Sequence, residues 1–376
     1  MPTIREIATA LEAWAPPASS LEYDNVGLQV GYPDRNVARA LVALDLTPAV
    51  VDEAIETQAD LIITHHPLLF KPPKQLIGTD LIGSMVLRLA EKGIGYYAIH
   101  TNLDAAQGGV SFGLADRLGL EDIRFLEPSA GDLFKLVVFV PESHAETVRT
   151  AATEEGAGHI GNYKGCSFET PGTGHFQPTE DATPHIGQAG GASESVDEIR
   201  LEMEVMRWDV GHVLEGIRSV HPYEEVAYDV YPMDKPATRF GMGAIGTLSS
   251  RQRLDAFLSQ VAQTLDASSI RFSGDLVMTV ERVAVCGGSG SSLISAARAQ
   301  KADVFVTADV TYHRFFEAIR PDGSHAMAIV DVGHYESEAH TETMIVDYLS
   351  QRFPDVVLQR TTVRTSEMRT FAPGPS

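Results

Sequence analysis

The chain has 376 residues, 44% apolar and 21% charged, with a net charge of −22 and only two cysteines. That length allows two or three domains of ordinary globular composition. The charge repels phosphate backbones and anionic lipid, so neither a nucleic-acid partner nor a membrane surface is expected. Cys166 and Cys286 are too few for a disulfide framework or a cysteine-built zinc site, and they fit a reducing cytoplasm. The opening "MPTIREIATALEAWAPP" lacks the basic start and apolar core of a signal peptide. No window approaches the ~18 apolar residues of a membrane span.

In chain order, "TIREIATALEAWAP" has helical spacing and a Pro-Pro stop. "ARALVALDL" reads as a buried strand, "PAVVDEAIETQA" as a helix and "DLIITHH" as the next strand. "LIGSMVLRLAEKG" is a helix ended by Gly93, and "IGYYAIHTN" is a strand. Strands alternating with helices of this length indicate βαβ units and a mostly parallel sheet. The texture changes near residue 127. A strand and helix precede a Gly/Pro/Thr-rich stretch, and "EIRLEMEVMRWDVGHVLEGIRSVHPYEEVAYDVYPM" then reads strand, helix, strand. That order predicts a small ferredoxin-like α+β module over 127–235, with hairpins and loops in the glycine-rich part. From 236 the α/β texture returns: helix in "LDAFLSQVAQTL", strands in "VERVAVCGG", "ADVFVTAD" and "AMAIVDVG", helices in "SSLISAARAQ" and "EAHTETMIVDYLSQRF", and a last strand in "DVVLQRTTV".

Residues 39–70 align without a gap to 282–313, with six identities: Arg39/Arg282, Val42/Val285, Ala54/Ala297, Ala59/Ala302, Asp60/Asp303 and Thr64/Thr307. The strand–helix–strand pattern coincides as well. The expected fold is therefore a composite, mostly parallel α/β core. Segments 1–126 and 236–376 form it as pseudo-repeats, interrupted by the inserted module.

Ligands of open α/β sheets bind outside the carboxyl ends of the strands. Four expected strands end in coordinating residues: His65 and His66; His100 and Asp104; Asp309 and His313; Asp331, His334, Glu336 and Glu338. Parallel strands would bring these ends to one edge of one sheet. His334 and Glu338, at i and i+4, share a helical face. His65 and His66 cannot point the same way in a regular strand, so the chain must turn there or serve two ions. Each piece alone has an ordinary reading, as a solvated histidine pair, a helix cap or a helix surface. Together, three imidazoles and two carboxylates exceed one open tetrahedral zinc. They suit two divalent ions roughly 3.5–4 Å apart that share and activate a water, with Asp104 bridging. Zinc, iron, manganese, nickel and cobalt all fit nitrogen and oxygen ligands. Asp309 and His100 are the candidates for moving protons, or else they orient ligands or cap locally.

Other features are weaker. "CGGSGSSL" offers a glycine loop that matches no phosphate-binding spacing, and a tight turn explains it equally well. His159, Cys166, His175 and His185 lack zinc-finger spacing and read as loop residues. "HPYEEVAYDV" reads as a charged strand entry or a recognition edge. No G-x-S-x-G elbow occurs, and neither cysteine has an activating neighbour, which disfavours covalent catalysis.

"DLIITHHPLLF", "AIHTNLDAAQGGV", "GAGHIGNYKGCSFETPGTGHF", "HPYEEVAYDV" and "DVGHYESE" resemble, in this order, the motifs of the Nif-three-like family, whose members are called GTP cyclohydrolase 1 type 2 homologues. The resemblance covers nearly the whole chain and includes a PII/CutA-like insertion. It implies an α/β core with a two-metal site in a toroidal homohexamer, with ligands falling on His65, His66, Asp104, His334 and Glu338. One departure follows "GGV", where the family continues Asn-Asp and this chain has Ser111 and Phe112. The expected function is a cytoplasmic metal-dependent hydrolase of a small heterocyclic or phosphorylated substrate. The alternative is a non-enzymatic regulator with the insertion as its sensor or partner surface.

Overall fold

The structure is a computed structural model and describes residues 1–370. The chain forms two compact units, one of residues 1–127 with 240–376 and one of residues 128–239. The first stretch carries β1 (Gly27–Val30), β2 (Arg39–Ala43), β3 (Leu61–Thr64), β4 (Gly95–Ala98) and β5 (Leu120–Pro128). The inserted unit carries β6 (Leu133–Pro141), β7 (Ser167–Phe176), β8 (Glu194–Met206) and β9 (Tyr228–Pro232). The last stretch carries β10 (Gly241–Arg253), β11 (Arg271–Ser273), β12 (Thr279–Val285), β13 (Val304–Thr307), β14 (Ala328–Asp331) and β15 (Val357–Arg360).

The core is not one mostly parallel sheet but two mixed ones, ordered β1-β4-β3-β2-β15 and β11-β14-β13-β12-β10-β5. In the first sheet four parallel strands, β4, β3, β2 and β15, carry β1 antiparallel on β4; in the second, three parallel strands, β14, β13 and β12, lie between β11 and β10, both antiparallel. Strands covered on both faces become continuous apolar runs. Leu61 and Ile63 of β3 pack with Ile4, Ile7 and Leu11 of the helix Ile4–Trp14, while Ile62 faces Val50, Val51 and Leu89. In β13, Val304 and Val306 meet Phe257 and Val261, while Phe305 meets Ile294 and Ala297. Each such side chain contributes roughly 1.5–3 kcal/mol by burial. Helix ends follow local chemistry: Thr3 and Glu6 make a capping box, and Gly93 closes the helix Leu81–Lys92 with φ of 67°.

The two segments that echo in sequence also echo in register. Ala40↔Leu61, Leu41↔Ile62 and Val42↔Ile63 match Val283↔Val304, Ala284↔Phe305 and Val285↔Val306 position for position. Asp60 accepts the backbone N–H groups of Ala38 and Arg39, and Asp303 those of Glu281 and Arg282.

The inserted unit runs β-α-β-β-α-β, an antiparallel sheet ordered β7-β8-β6-β9 with helices Ala145–Glu154 and Val210–Val220. Its core joins Leu136, Val138 and Val140 to Val148, Val213 and Ile217. The glycine-rich stretch, read as hairpins and loops, includes the ten-residue strand β7. Pro171 is tolerated there because β7 is a sheet edge. Among the described residues, no helix is long and apolar enough to cross a membrane.

Candidate metal centre

The carboxyl ends of β3, β4, β13 and β14 converge, but from two sheets rather than one edge. β3 stops at Thr64, so His65 and His66 lie on a turn. The hydroxyls of Thr64 and Tyr96 donate to the His66 carbonyl at 2.7 and 3.0 Å and hold that turn. This lets both imidazoles face inward, with ring centroids 5.0 Å apart. Asp104 comes from the short helix Thr101–Ala105 after β4. Gly333, at φ of 92°, turns the chain after β14 into the helix His334–Glu338.

Two groups of donor atoms result. His66 Nε2, His334 Nε2 and Glu338 Oε2 lie 3.0 to 3.3 Å from one another. His65 Nε2 lies 3.8 Å from both Asp104 Oδ1 and Glu338 Oε1. Glu338 therefore offers one oxygen to each group, and Asp104 joins the group of His65. His65 Nε2, Asp104 Oδ1 and Glu338 Oε2 are buried without a hydrogen-bond partner. A buried lone pair left unpaired is costly unless a cation takes it. The residues thus fit metal binding, and His65, His66 and His100 form a third such group.

Every histidine is held from behind. His65 Nδ1 lies 2.8 Å from the Ile99 carbonyl, His66 Nδ1 2.6 Å from Asp45, His334 Nδ1 2.7 Å from Asp309 and His100 Nδ1 2.8 Å from Asp24. A carbonyl or carboxylate only accepts, so each Nδ1 carries hydrogen and each Nε2 lone pair is left for the centre. Asp45 is itself fixed by the Thr365 hydroxyl at 2.7 Å. Asp309, expected to move protons, has its Oδ2 engaged by His334.

The charges pull apart. Burial, then the Glu338 charge, hold the Asp104 carboxyl well above the usual range. Burial also opposes ionisation of Glu338, but His334, His65 and His66 outweigh it and bring its pKa down. Burial disfavours charge on His66, yet Asp45 and Glu338 raise it to about 10. His334 rises to about 9 against the same burial, through Glu338 and Asp309. His65 has no such carboxylate behind it, and burial lowers it. Protons and a cation therefore compete for the same nitrogens.

The glycine loop after β12 serves this centre. A Cβ on Gly288 would stand 2.3 Å from Glu338 Oε1. Three of the loop's N–H groups are already used: Gly287 donates to Ser111, Gly288 to Ser337 and Gly290 to Thr307. Ser111, the departure noted in the sequence, is buried structure beneath the loop.

Some expected residues stay outside. His313 lies against Tyr312 and Phe316, Asp331 binds Arg271, and Glu336 binds Arg364. Others were missed. Asp45 follows β2 in "ALDL", where the strand-end rule could have found it. Asp24 lies in a loop with no pattern to mark it. Tyr23 and Phe70 are exposed rings 6.1 Å apart, and Phe70 is 6.2 Å from His100. A cleft of about 1230 Å³ lined by Arg271, Asp309, His334, Tyr335 and Arg364 lies beside the centre.

The family model described as Duf34/NIF3 (NGG1p interacting factor 3) matches residues 2–370. The GTP cyclohydrolase 1 type 2 homolog of Halalkalibacterium halodurans is 41% identical over 86% of each chain. That of Bacillus subtilis is 38% identical over 90% of each. Among solved structures, a Bacillus cereus protein related to NIF3 superposes with a TM-score of 0.83 at 37% identity, covering 98% of this chain and 99% of that one. Staphylococcus aureus SA1388 gives 0.76 at 27% identity, with the same coverage.

Proposed function

This chain belongs to the Duf34/NIF3 family, and on that premise we propose that it is a dinuclear metal-dependent hydrolase acting on a small planar nitrogen heterocycle. The observation that carries the reading is the pair of donor groups sharing Glu338, with three buried atoms left unpaired by the protein. His66, His334 and Glu338 would hold one divalent ion, and His65, Asp104 and Glu338 the other. Ions held there supply Lewis acidity and a water activated near neutral pH. The chain's own residues do the rest. Asp45, Asp309 and the Ile99 carbonyl fix the imidazoles, so no reorganisation is needed on binding. His100, held through Nδ1 by Asp24, would carry protons, and Asp309 would position His334.

The substrate class rests on the surroundings. Tyr23 and Phe70 offer a stacking face next to His100. Two of the three arginines that line the cleft are ion-paired, Arg271 with Asp331 and Arg364 with Glu336; Arg369 is the third. The aromatic face favours a heterocycle, phosphorylated or not, and the name of the curated relatives, GTP cyclohydrolase 1 type 2 homolog, fits a heterocyclic substrate. A PII/CutA-like insertion, a toroidal homohexamer and a cytoplasmic location complete the proposal. Light scattering of the purified protein checks the hexamer.

The test is elemental analysis of freshly purified protein, then hydrolysis assays on planar heterocycles beside a His65→Ala/His66→Ala variant. Protein that holds no metal and takes up none on titration would sink the reading. So would an Asp104→Ala variant that binds ions as tightly as wild type.

A further inference from the structure

We infer that the inserted unit carries a second binding site, for a planar nitrogen heterocycle that presents adjacent N–H donors. It rests on different residues from the metal centre and does not depend on that reading. The site is a cavity of about 610 Å³ between the edge strand β7 and the segment 177–193. That is an ordinary size for a small-molecule pocket.

The segment is a closed loop, not a loose one. Gly190 donates to the Thr179 carbonyl at 2.9 Å, and Gln177 to that of Gly191 at 3.1 Å. Thr183 donates through its backbone and hydroxyl to Glu224, at 2.7 and 2.9 Å, which pins the loop to the far wall.

The walls are rings. Phe176 and His185 each have ring centroids 6.2 Å from Tyr223. A flat ligand matches such walls better than a branched one. The polar groups define which flat ligand. The Tyr223 hydroxyl is buried beside the Glu198 carboxylate, and burial, then the hydrogen bond and charge of that carboxylate, raise its pKa. Glu198 lines the cavity, and among the described residues it forms no ion pair. Gly174 exists in this arrangement to admit it: a Cβ there would stand 2.2 Å from Glu198 Oε2. The one arginine of the lining, Arg200, is paired with Glu202 at 3.0 Å. An unneutralised carboxylate accepts two parallel N–H donors well and repels phosphate. An aminopyrimidinone edge, with a ring N–H beside an amino group, supplies those donors, and Tyr223 meets a further polar atom of the ring.

Isothermal titration of the full chain with guanosine, inosine and guanosine monophosphate tests this. Guanosine is expected to bind, and inosine, which lacks the amino group, to bind about tenfold more weakly or worse. Guanosine monophosphate is expected to bind more weakly than guanosine. Glu198→Gln should lower guanosine affinity by about tenfold or more while leaving metal content unchanged. Gly174→Ala, which displaces the carboxylate without removing its charge, should lower it as well. The His65→Ala/His66→Ala variant should bind guanosine like wild type. No binding of guanosine, equal binding of guanosine and inosine, an unaffected Glu198→Gln variant, or loss of binding in the histidine variant would each overturn the inference.

Discussion

Segments 39–70 and 282–313 share a scaffold and differ in chemistry. Each pairs two parallel strands in one register, and each ties the strand entry with an aspartate, Asp60 or Asp303, to two backbone N–H groups. Past the strand ends the likeness stops. The first segment presents His65 and His66; the second has Ala308 and Asp309 at those positions. Asp45, which buttresses His66, has Gly288 as its counterpart, and Gly288 is empty space for Glu338. The first segment brings candidate donors on its strand end. The second makes room for Glu338 from the helix after β14 and supports His334 with Asp309. The two segments share the scaffold and differ at the strand ends.

The largest test of that division is Glu338→Ala. It should abolish both donor groups, with metal content near zero by elemental analysis. Retention of one ion per chain would show that the groups are independent. Asp45→Asn and Asp309→Asn probe the supports that the two segments supply in different ways. Each should weaken metal binding by about 10–100-fold, measured by competition with a chelator. If only one of them does, the two supports are not equivalent.

Asp60→Asn and Asp303→Asn test the shared part. Each should cost about 1–2 kcal/mol in urea unfolding, and the two costs should agree within about 1 kcal/mol. Unequal costs would break the likeness at its base. The last test concerns pH. The Leu44 N–H is held by Glu342 at 3.0 Å, whereas its counterpart Gly287 meets the uncharged Ser111. Burial raises Glu342 from 4.5 to about 7. The folded state then keeps a proton that the unfolded chain loses, so stability falls as pH rises between those values. Glu342→Gln should flatten the thermal midpoint over that window, while Ser111→Ala should leave the slope unchanged.

The sequence showed the helices well, because their apolar spacing and caps are local. The Gly93 stop and the Pro-Pro stop of the first helix are read from a few neighbouring residues. It marked the residues that the fold gathers as candidate donors because strand ends are where such side chains collect. It did not show two sheets, since nothing local tells a strand which neighbour it pairs with. β10 was missed because Gly241, Gly243 and Gly246 blur its alternation; Gly246 is required where a Cβ would meet the Glu121 carbonyl at 2.7 Å. The inserted cavity was missed for the same reason. His185, Glu198 and Tyr223 are far apart in the chain, and only the folding of the 177–193 segment gathers them.

The last strand has a consequence for synthesis. β15 pairs with β2, in the register Val357↔Arg39 through Arg360↔Val42. A ribosome finishes β2 more than three hundred residues before its partner emerges. Until then β2 keeps an open, apolar edge, a template for pairing with another chain. His65, His66 and Asp104 are already made by that time, but Glu338 is not. A chain truncated after the insertion is left both sticky at β2 and unable to assemble either donor group. The arrival of the C-terminal segment both covers the β2 edge and supplies the carboxylate shared by the two donor groups.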